Sequence, residues 1–332
     1  MTRQDLRIVF MGTPEFAVAT LQQLVENGYP VVGVVTQPDK PVGRHGNTLR
    51  PSPVKEYAVQ HGITVLQPEK MRDEAFQEQL RALKPNLQVV VAFRMLPETV
   101  WALPEYGTFN VHASLLPRYR GAAPINWAII NGETTTGVTT FFLDHHIDTG
   151  RIILQQSTDI PDDADVEYVY NKLMHAGAQL ATETIELLIA HDGMPPTHEQ
   201  SDSEEDVTRL PVAPKIFNDT CRIDWQQDAT RIHNFIRGLS PIPGAWTTVA
   251  HFDPSSATSQ LTNATLKIYR ARVMEEDLGL PAGQLVTESR RLFATCGQGT
   301  LEILELQPAG KRRMDANDYI NGMKNTEPLI LL

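Results

Sequence analysis

"LRIVFMGTPEFAVATLQQLVENGYPVVGVVTQ", residues 6–37, decides the architecture of the front half of this chain. Its two ends, "LRIVFMG" and "PVVGVVTQ", are apolar runs with almost no polar alternation. A strand of that kind is buried on both faces, as in a parallel sheet. Between them "EFAVATLQQLVENG" repeats its apolar residues at helical spacing and stops at Gly28, a natural helix terminator. Strand, helix and strand in 32 residues make a βαβ unit.

Reading outward, the alternation continues. Helices are expected over "VKEYAVQHG" and "DEAFQEQLRALK", and strands over "ITVLQP", "NLQVVVAF" and "GTFNVHAS". "GVTTFFL" and "GRIILQQSTDI" follow as a later strand pair, and "DVEYVYNKLMHAGAQLATETIELLIAH" closes the half as a long amphipathic helix. The expected fold is α/β: a Rossmann-like, mostly parallel sheet with helices on both faces. Residues 191–208 are acidic and poor in large apolar residues, and read as a linker between a domain at 1–190 and another at 209–332. In the second domain short strand-like runs ("AWTTVAHF", "TLKIYRARV", "AGQLVTES", "RLFATC", "TLEILELQP") surround one helix, "DATRIHNFIRGL". That pattern predicts a small OB-like β-barrel.

Composition narrows the function classes. No apolar run reaches membrane-spanning length and the start has no signal-peptide pattern, so a soluble, cytoplasmic protein without membrane association is expected. Two distant cysteines, Cys221 and Cys296, offer neither a disulfide framework nor a Cys-based metal site. The net charge of −11 opposes indiscriminate nucleic-acid binding, but it is uneven. Residues 209–332 hold 14 Lys and Arg against 13 Asp and Glu, whereas 191–208 alone hold six acids. A near-neutral back half can still present a basic face.

The chemistry concentrates at "NVHASLLPRYRGAAP", residues 110–124. Asn110 and His112, two apart on a strand, share a face. They sit at the strand's end, where open α/β sheets bind ligands. The loop beyond mixes Ser114, Arg118 and Arg120 with Leu115, Leu116 and Pro117, which suits a flat heteroaromatic ligand. Asp148, in "DHHIDTG", can approach His112 and favour its charged form. His145 and His146 are adjacent on an extended segment and point apart, so a metal site is not expected. "FMGTPEF" contains one glycine, Gly12, where a dinucleotide fingerprint needs three, which argues against NAD. "PDKPVGRHGNTLRPSP", residues 38–53, reads either as a solvated surface loop or as a mobile arm that meets phosphates.

Together these stretches resemble the methionyl-tRNA formyltransferase family over nearly the whole chain. "VFMGTPEFA", "TQPDKPVGRHGNTLRPSPVK", "NVHASLLPRYRGAAPINWAIINGE", "TGVTTFFL" and "IDTG" resemble its catalytic half; "APKI", "IHNFIRGLSPIPGAW" and "ILELQPAGKRRM" resemble its C-terminal domain. The resemblance implies the formyltransferase fold, Asn110, His112 and Asp148 as a catalytic trio, and 10-formyltetrahydrofolate as formyl donor with no metal. It puts Ser114, Leu115, Leu116 and Pro117 at the folate pocket. Initiator tRNA carrying methionine is the implied partner, met by Arg44 with its neighbours Lys40 and Arg50. Beside that resemblance, the charges of the C-terminal domain, Lys311, Arg312 and Arg313 in one run with Arg222, Arg231 and Arg237 around its helix, read either as backbone contacts to the RNA or as residues that only solubilise the barrel. Two departures stand out: Phe93-Arg94 replaces a Tyr-Gly pair and would line the folate pocket, and His146-Ile147 replaces Gly-Leu.

Formyl transfer is acyl transfer to an amine that is already partly neutral near physiological pH, so no strong base is needed. The oxygen of the attacked formyl group becomes an oxyanion, for which Asn110 and a protonated His112 are donors. A monomer is expected. Rival readings keep the chemistry but change the acceptor to an amino-sugar nucleotide, a purine-pathway amine or water, or keep RNA binding and lose catalysis.

Overall fold

The protein, seen as a computed structural model, is described at residues 1–42, 48–200, 209–252, 261–323 and 329–332. Strand β1 (Ile8–Gly12) is buried along its whole length, as an apolar run with no polar face must be. Helix α1 (Glu15–Glu26) begins after Pro14 and ends where Gly28 turns the chain at φ +74°, a conformation that glycine adopts without steric cost. The next strand, β2 (Val31–Val35), returns parallel to β1.

The first sheet continues through β5 (Val65–Leu66), β6 (Leu87–Val91), β7 (Thr108–His112), β8 (Thr135–Phe142) and β9 (Ile152–Asp159), in the spatial order β5-β2-β1-β6-β7-β8-β9. The first five strands in that order are parallel; β8 and β9 join antiparallel. The mostly parallel Rossmann-like sheet read from the sequence is therefore present.

Register assigns the faces. Val9, Met11, Val90, Asn110 and Phe141 fall on one face. The apolar part of that face packs with Phe76, Leu80 and Val100 from helices α3 (Glu74–Ala82) and α4 (Glu98–Trp101). The long helix α6 (Val166–Ala190) covers the other face. There a Cβ on Gly177 would stand 3.1 Å from Val111 Cγ1, and Thr184 hydrogen-bonds Thr140 at 2.8 Å. Asn110 and His112 thus project from the face opposite α6, at the strand's C-terminal end.

One stretch read as loop is partly strand. β3 (Lys40–Val42) and β4 (Thr48–Arg50) form an antiparallel hairpin in which Lys40 is opposite Arg50. Residues 43–47 lie outside the described residues, and Arg44 with them.

Two compact units emerge. The first spans 1–124, 135–159 and 170–213; the second spans 125–134, 160–169 and 214–332. In the second, strands β10 (Ala245–Phe252), β11 (Leu261–Val273), β12 (Gln284–Glu288), β13 (Arg291–Thr295), β14 (Thr300–Pro308) and β16 (Leu329–Leu331) form a ring. The order β11-β10-β16-β12-β13-β14 closes because β14 also pairs with β11; the short β15 (Met314–Asp315) hangs on β14. The result is a six-stranded antiparallel barrel, consistent with a small OB-like barrel. Ile232, Ile236 and Leu239 of the helix Ala229–Leu239 are buried in its core. A second short helix, Ala316–Gly322, and the closing strand β16 were not expected from the sequence.

On the barrel wall Glu302 is gripped by two arginines. Arg291 donates through Nε and Nη2 at 2.8 and 2.7 Å, and Arg272 adds two more bonds to Oε2. The Arg291 hydrogen bonds, opposed by burial and reinforced by Arg272, hold the Glu302 carboxyl down at about 2. Its stabilising contribution is complete above 4.5 and fades as pH falls toward about 2. Glu302→Gln is therefore expected to lower the melting temperature at pH 7. The gap to the parent protein should close across that acid range in thermal melts.

Candidate active site

At the C-terminal end of β7 the chain brings Asn110, His112 and Asp148 together. The His112 Nε2–H donates to the Tyr119 carbonyl at 3.0 Å, while Nδ1 faces Asp148 Oδ2 at 3.8 Å. The second distance is too long for a hydrogen bond. Both side chains are largely shielded, at 7% and 13% exposure, so solvent screens the pair little. Tyr119 therefore orients the imidazole, and Asp148 supplies negative charge beside it. That divides a task the sequence reading gave to Asp148 alone.

Asp148 is itself fixed. Its Oδ2 accepts the Gly121 N–H at 2.9 Å, and its backbone is left-handed at φ +55°. Half-buried Asn110 has an Oδ1 that is buried and has no hydrogen-bond partner. An orphaned buried acceptor costs about 1–3 kcal/mol, a cost that needs a functional explanation.

The loop after β7 is held from beneath by β8 and β9. Thr139, opposite His112 in the ladder, donates its hydroxyl to the Ser114 carbonyl at 2.6 Å and accepts the Leu116 N–H at 3.1 Å. Gln155 donates both to Thr139 Oγ1 and to the Leu116 carbonyl. Ser114 is fully buried with its hydroxyl spent on the Arg118 carbonyl, so it shapes the loop and presents no free nucleophile. Leu116 is buried against Phe141 and Ile152. Leu115 and Pro117 are the half-buried pair of the four residues expected at a folate pocket. Leu115 rests where a Cβ on Gly137 would come within 2.5 Å of its Cδ2, so the bare glycine provides its seat.

Phe93 packs against the apolar cluster of Val9, Met11 and Val90. Arg94 donates to the carbonyls of Glu69, at 2.8 Å, and Pro68, which ties the end of β6 to the segment after β5. The guanidinium expected to line a ligand pocket is thus committed to backbone. Sequence reading missed Tyr119, Thr139 and Gln155. Their signal is geometric, a cross-strand register and a carbonyl within reach, and no motif records it.

The basic residues separate into free and engaged. Lys40 and Arg50 are exposed and directly opposed on their hairpin, a like-charge pairing that disfavours the ladder unless an anion lies across it. Lys311 and Arg312 are exposed. Arg313 is bonded to Glu305 and lies over the Tyr269 ring at 4.3 Å. Arg237 is buried and donates to Ala164 O and Asn234 Oδ1, which removes it from the RNA contacts expected of it. Arg222 and Arg231 help line a groove of about 580 Å³ on the second unit, together with Trp127, Asn131 and Phe235. Among the described residues no group of three or more His, Cys, Asp or Glu side chains could hold a metal ion. No described helix is long and apolar enough to cross a membrane.

The sheet and the barrel match two known domain types. Residues 6–185 match the family model described as formyl transferase, and residues 215–324 match that of the formyl transferase C-terminal domain. The chain is 54% identical over 325 residues to the methionyl-tRNA formyltransferase of Parabacteroides distasonis, with 98% of each covered. It is 45% identical over 320 residues to that of Flavobacterium johnsoniae, with 96% and 97% covered. The chain belongs to the methionyl-tRNA formyltransferase family, enzymes of one-carbon formyl transfer. Among solved structures, the fold is shared with WlaRD, a sugar 3N-formyl transferase (TM-score 0.62, 18% identity, 92% of this chain and 99% of that one). It is also shared with HypX from Aquifex aeolicus in complex with tetrahydrofolic acid (TM-score 0.59, 18% identity, 95% and 47%).

Proposed function

We infer that the chain moves the formyl group of 10-formyltetrahydrofolate onto the α-amino group of methionyl initiator tRNA, by direct attack within a ternary complex. The observation that carries this reading is the Asn110 amide on the same strand face as His112, which is paired with Asp148 at the strand's end. Relatives that share the chain's full length are named for methionyl-tRNA, and two fold neighbours were solved with tetrahydrofolic acid or 5-N-formyl-THF.

The amine attacks the formyl carbon, the C=O electrons move onto oxygen, and that oxyanion needs donors. Asn110 Nδ2 supplies one. His112 supplies positive charge when protonated, and its Nε2–H becomes a second donor on exchanging the Tyr119 carbonyl for the substrate oxygen. Asp148 holds its Oδ2 3.8 Å from the ring Nδ1, where it faces the charge that His112 gains in this role. The tetrahedral intermediate then collapses. The bond to the folate N10 breaks, N10 gains a proton, and the former ammonium loses one, with His112 or water as carrier. No covalent enzyme intermediate is needed, since Ser114 is buried and both cysteines are buried in the second unit.

The RNA reading rests on the exposed cations Lys40 and Arg50, and Lys311, Arg312, Arg222 and Arg231 on the second unit, together with Arg44, which the family resemblance assigns to the RNA. Lys40→Ala with Arg50→Ala is expected to raise KM for tRNA and leave kcat largely unchanged. It should also flatten the plot of log affinity against log salt by roughly 1–2 in slope. Formylation of methionyl-initiator tRNA against methionyl-elongator tRNA, with an amino-sugar nucleotide as third acceptor, tests the whole reading. Selective formylation of the initiator supports it. Transfer to the sugar, or folate release with no acceptor, overturns it.

A further inference from the structure

Gln200 belongs to the acidic stretch that composition marks as a linker, yet its side chain is fully used at the active site. Its Nε2 donates to the carbonyls of Asp148 and Gly150, each at 2.9 Å. Its Oε1 accepts from Arg120 Nε at 3.0 Å and Nη2 at 2.6 Å. Those two sets of partners are the two segments that hold the carboxylate of Asp148. One provides the left-handed turn at Asp148 itself; the other provides the Gly121 N–H that binds Asp148 Oδ2.

We propose that Gln200 is a positioning residue for the formyl transfer, fixing the Asp148 carboxylate against His112 by clamping the 148–150 turn to the Arg120–Gly121 segment. The proposal rests on the reading that Asp148 serves the reaction.

A non-glycine residue at φ +55° is strained and persists only where surrounding contacts over-determine it. At Gly150 the backbone has little freedom, since a Cβ there would meet the Phe142 carbonyl oxygen at 1.7 Å. At Asp148 the carbonyl is held by Gln200. An amide suits the position because it donates twice and accepts twice in one plane. Glutamate, of the same length, would keep the arginine and face two carbonyl oxygens with negative charge. The desolvated Arg120 guanidinium, which burial inclines toward losing its proton and Asp148 opposes, gains its acceptor from the same amide.

The test is steady-state formylation of methionyl-initiator tRNA by the full chain, with Gln200→Ala and Gln200→Glu made in both the parent and an Asp148→Ala background. In the parent, both variants are expected to lower kcat on the order of 10- to 100-fold, with KM for folate and tRNA within about twofold. In the Asp148→Ala background, Gln200→Ala should cost less than about twofold more, because its target is already gone. Full multiplication of the two losses would overturn the proposal, as would parent-like kcat in Gln200→Glu. If Gln200→Ala does not fold, the near-isosteric Gln200→Glu decides by the same criteria. A parent-like kcat in Asp148→Ala alone would instead overturn the catalytic reading beneath it.

Discussion

Asn110→Ala is expected to lower kcat by roughly 100- to 1000-fold, the usual cost of losing one preorganised oxyanion donor. KM for both substrates should change little, because the donor is engaged only when charge builds on the formyl oxygen. The same substitution should leave the melting temperature unchanged or raise it. The Asn110 Oδ1 is buried without a partner, so its removal relieves a penalty of about 1–3 kcal/mol. Activity and stability are thus predicted to move in opposite directions, a result that simple damage to the fold cannot produce. Saturating-substrate kinetics and a thermal melt on one preparation check both halves. A kcat within threefold of the parent would remove Asn110 from the mechanism.

Gly121→Ala should be nearly as severe for a different reason. Gly121 sits at φ +126°, and a Cβ there would meet the Ala213 carbonyl oxygen at 2.4 Å. That oxygen cannot yield freely, since it accepts the N–H groups of Ala122 and Ala123 at 2.7 and 3.2 Å. The loop must shift, and the Gly121 N–H that holds Asp148 Oδ2 shifts with it. The strain and clash together are expected to cost on the order of 2–4 kcal/mol of stability. A displacement near 1 Å at the carboxylate is expected to cost about 100-fold in kcat. Here, unlike at Asn110, activity and stability should fall together. A melt and a kinetic assay that both match the parent would show that the loop accommodates the methyl group.

How far the sequence carried the fold depends on what each segment had to encode. Val/Ile runs such as "NLQVVVAF" state their burial outright, and β1, β2, β6 and β7 fell where they were read. The hairpin at Lys40–Val42 and Thr48–Arg50 was hidden by its prolines and charges, which mark a loop unless the pairing is seen. β16, three residues long, is too short for any periodicity to register. The site divides in the same way. Strand alternation puts Asn110 and His112 on one face, as read, and the turn at Asp148 brings its carboxylate to 3.8 Å from His112. The backbone partners of Arg94 and Arg237 could not be read in advance, because nothing in a sequence distinguishes an arginine bonded to carbonyls from one facing a ligand. Gln200 was overlooked because low hydrophobicity around it reads as spacer, whereas its work is done by four hydrogen bonds.

The barrel closes through its last strand. β16, at residues 329–331, joins β10 to β12, and without it both neighbours expose unpaired edges. The ribosome must translate through residue 331, and the emerging polypeptide must clear the exit tunnel, before the seam can zip shut. The α/β sheet needs nothing beyond residue 159 for its strands, so it can form far earlier in synthesis. A ribosome that stalls a few codons short would leave a formed sheet tethered to an open, aggregation-prone half-barrel.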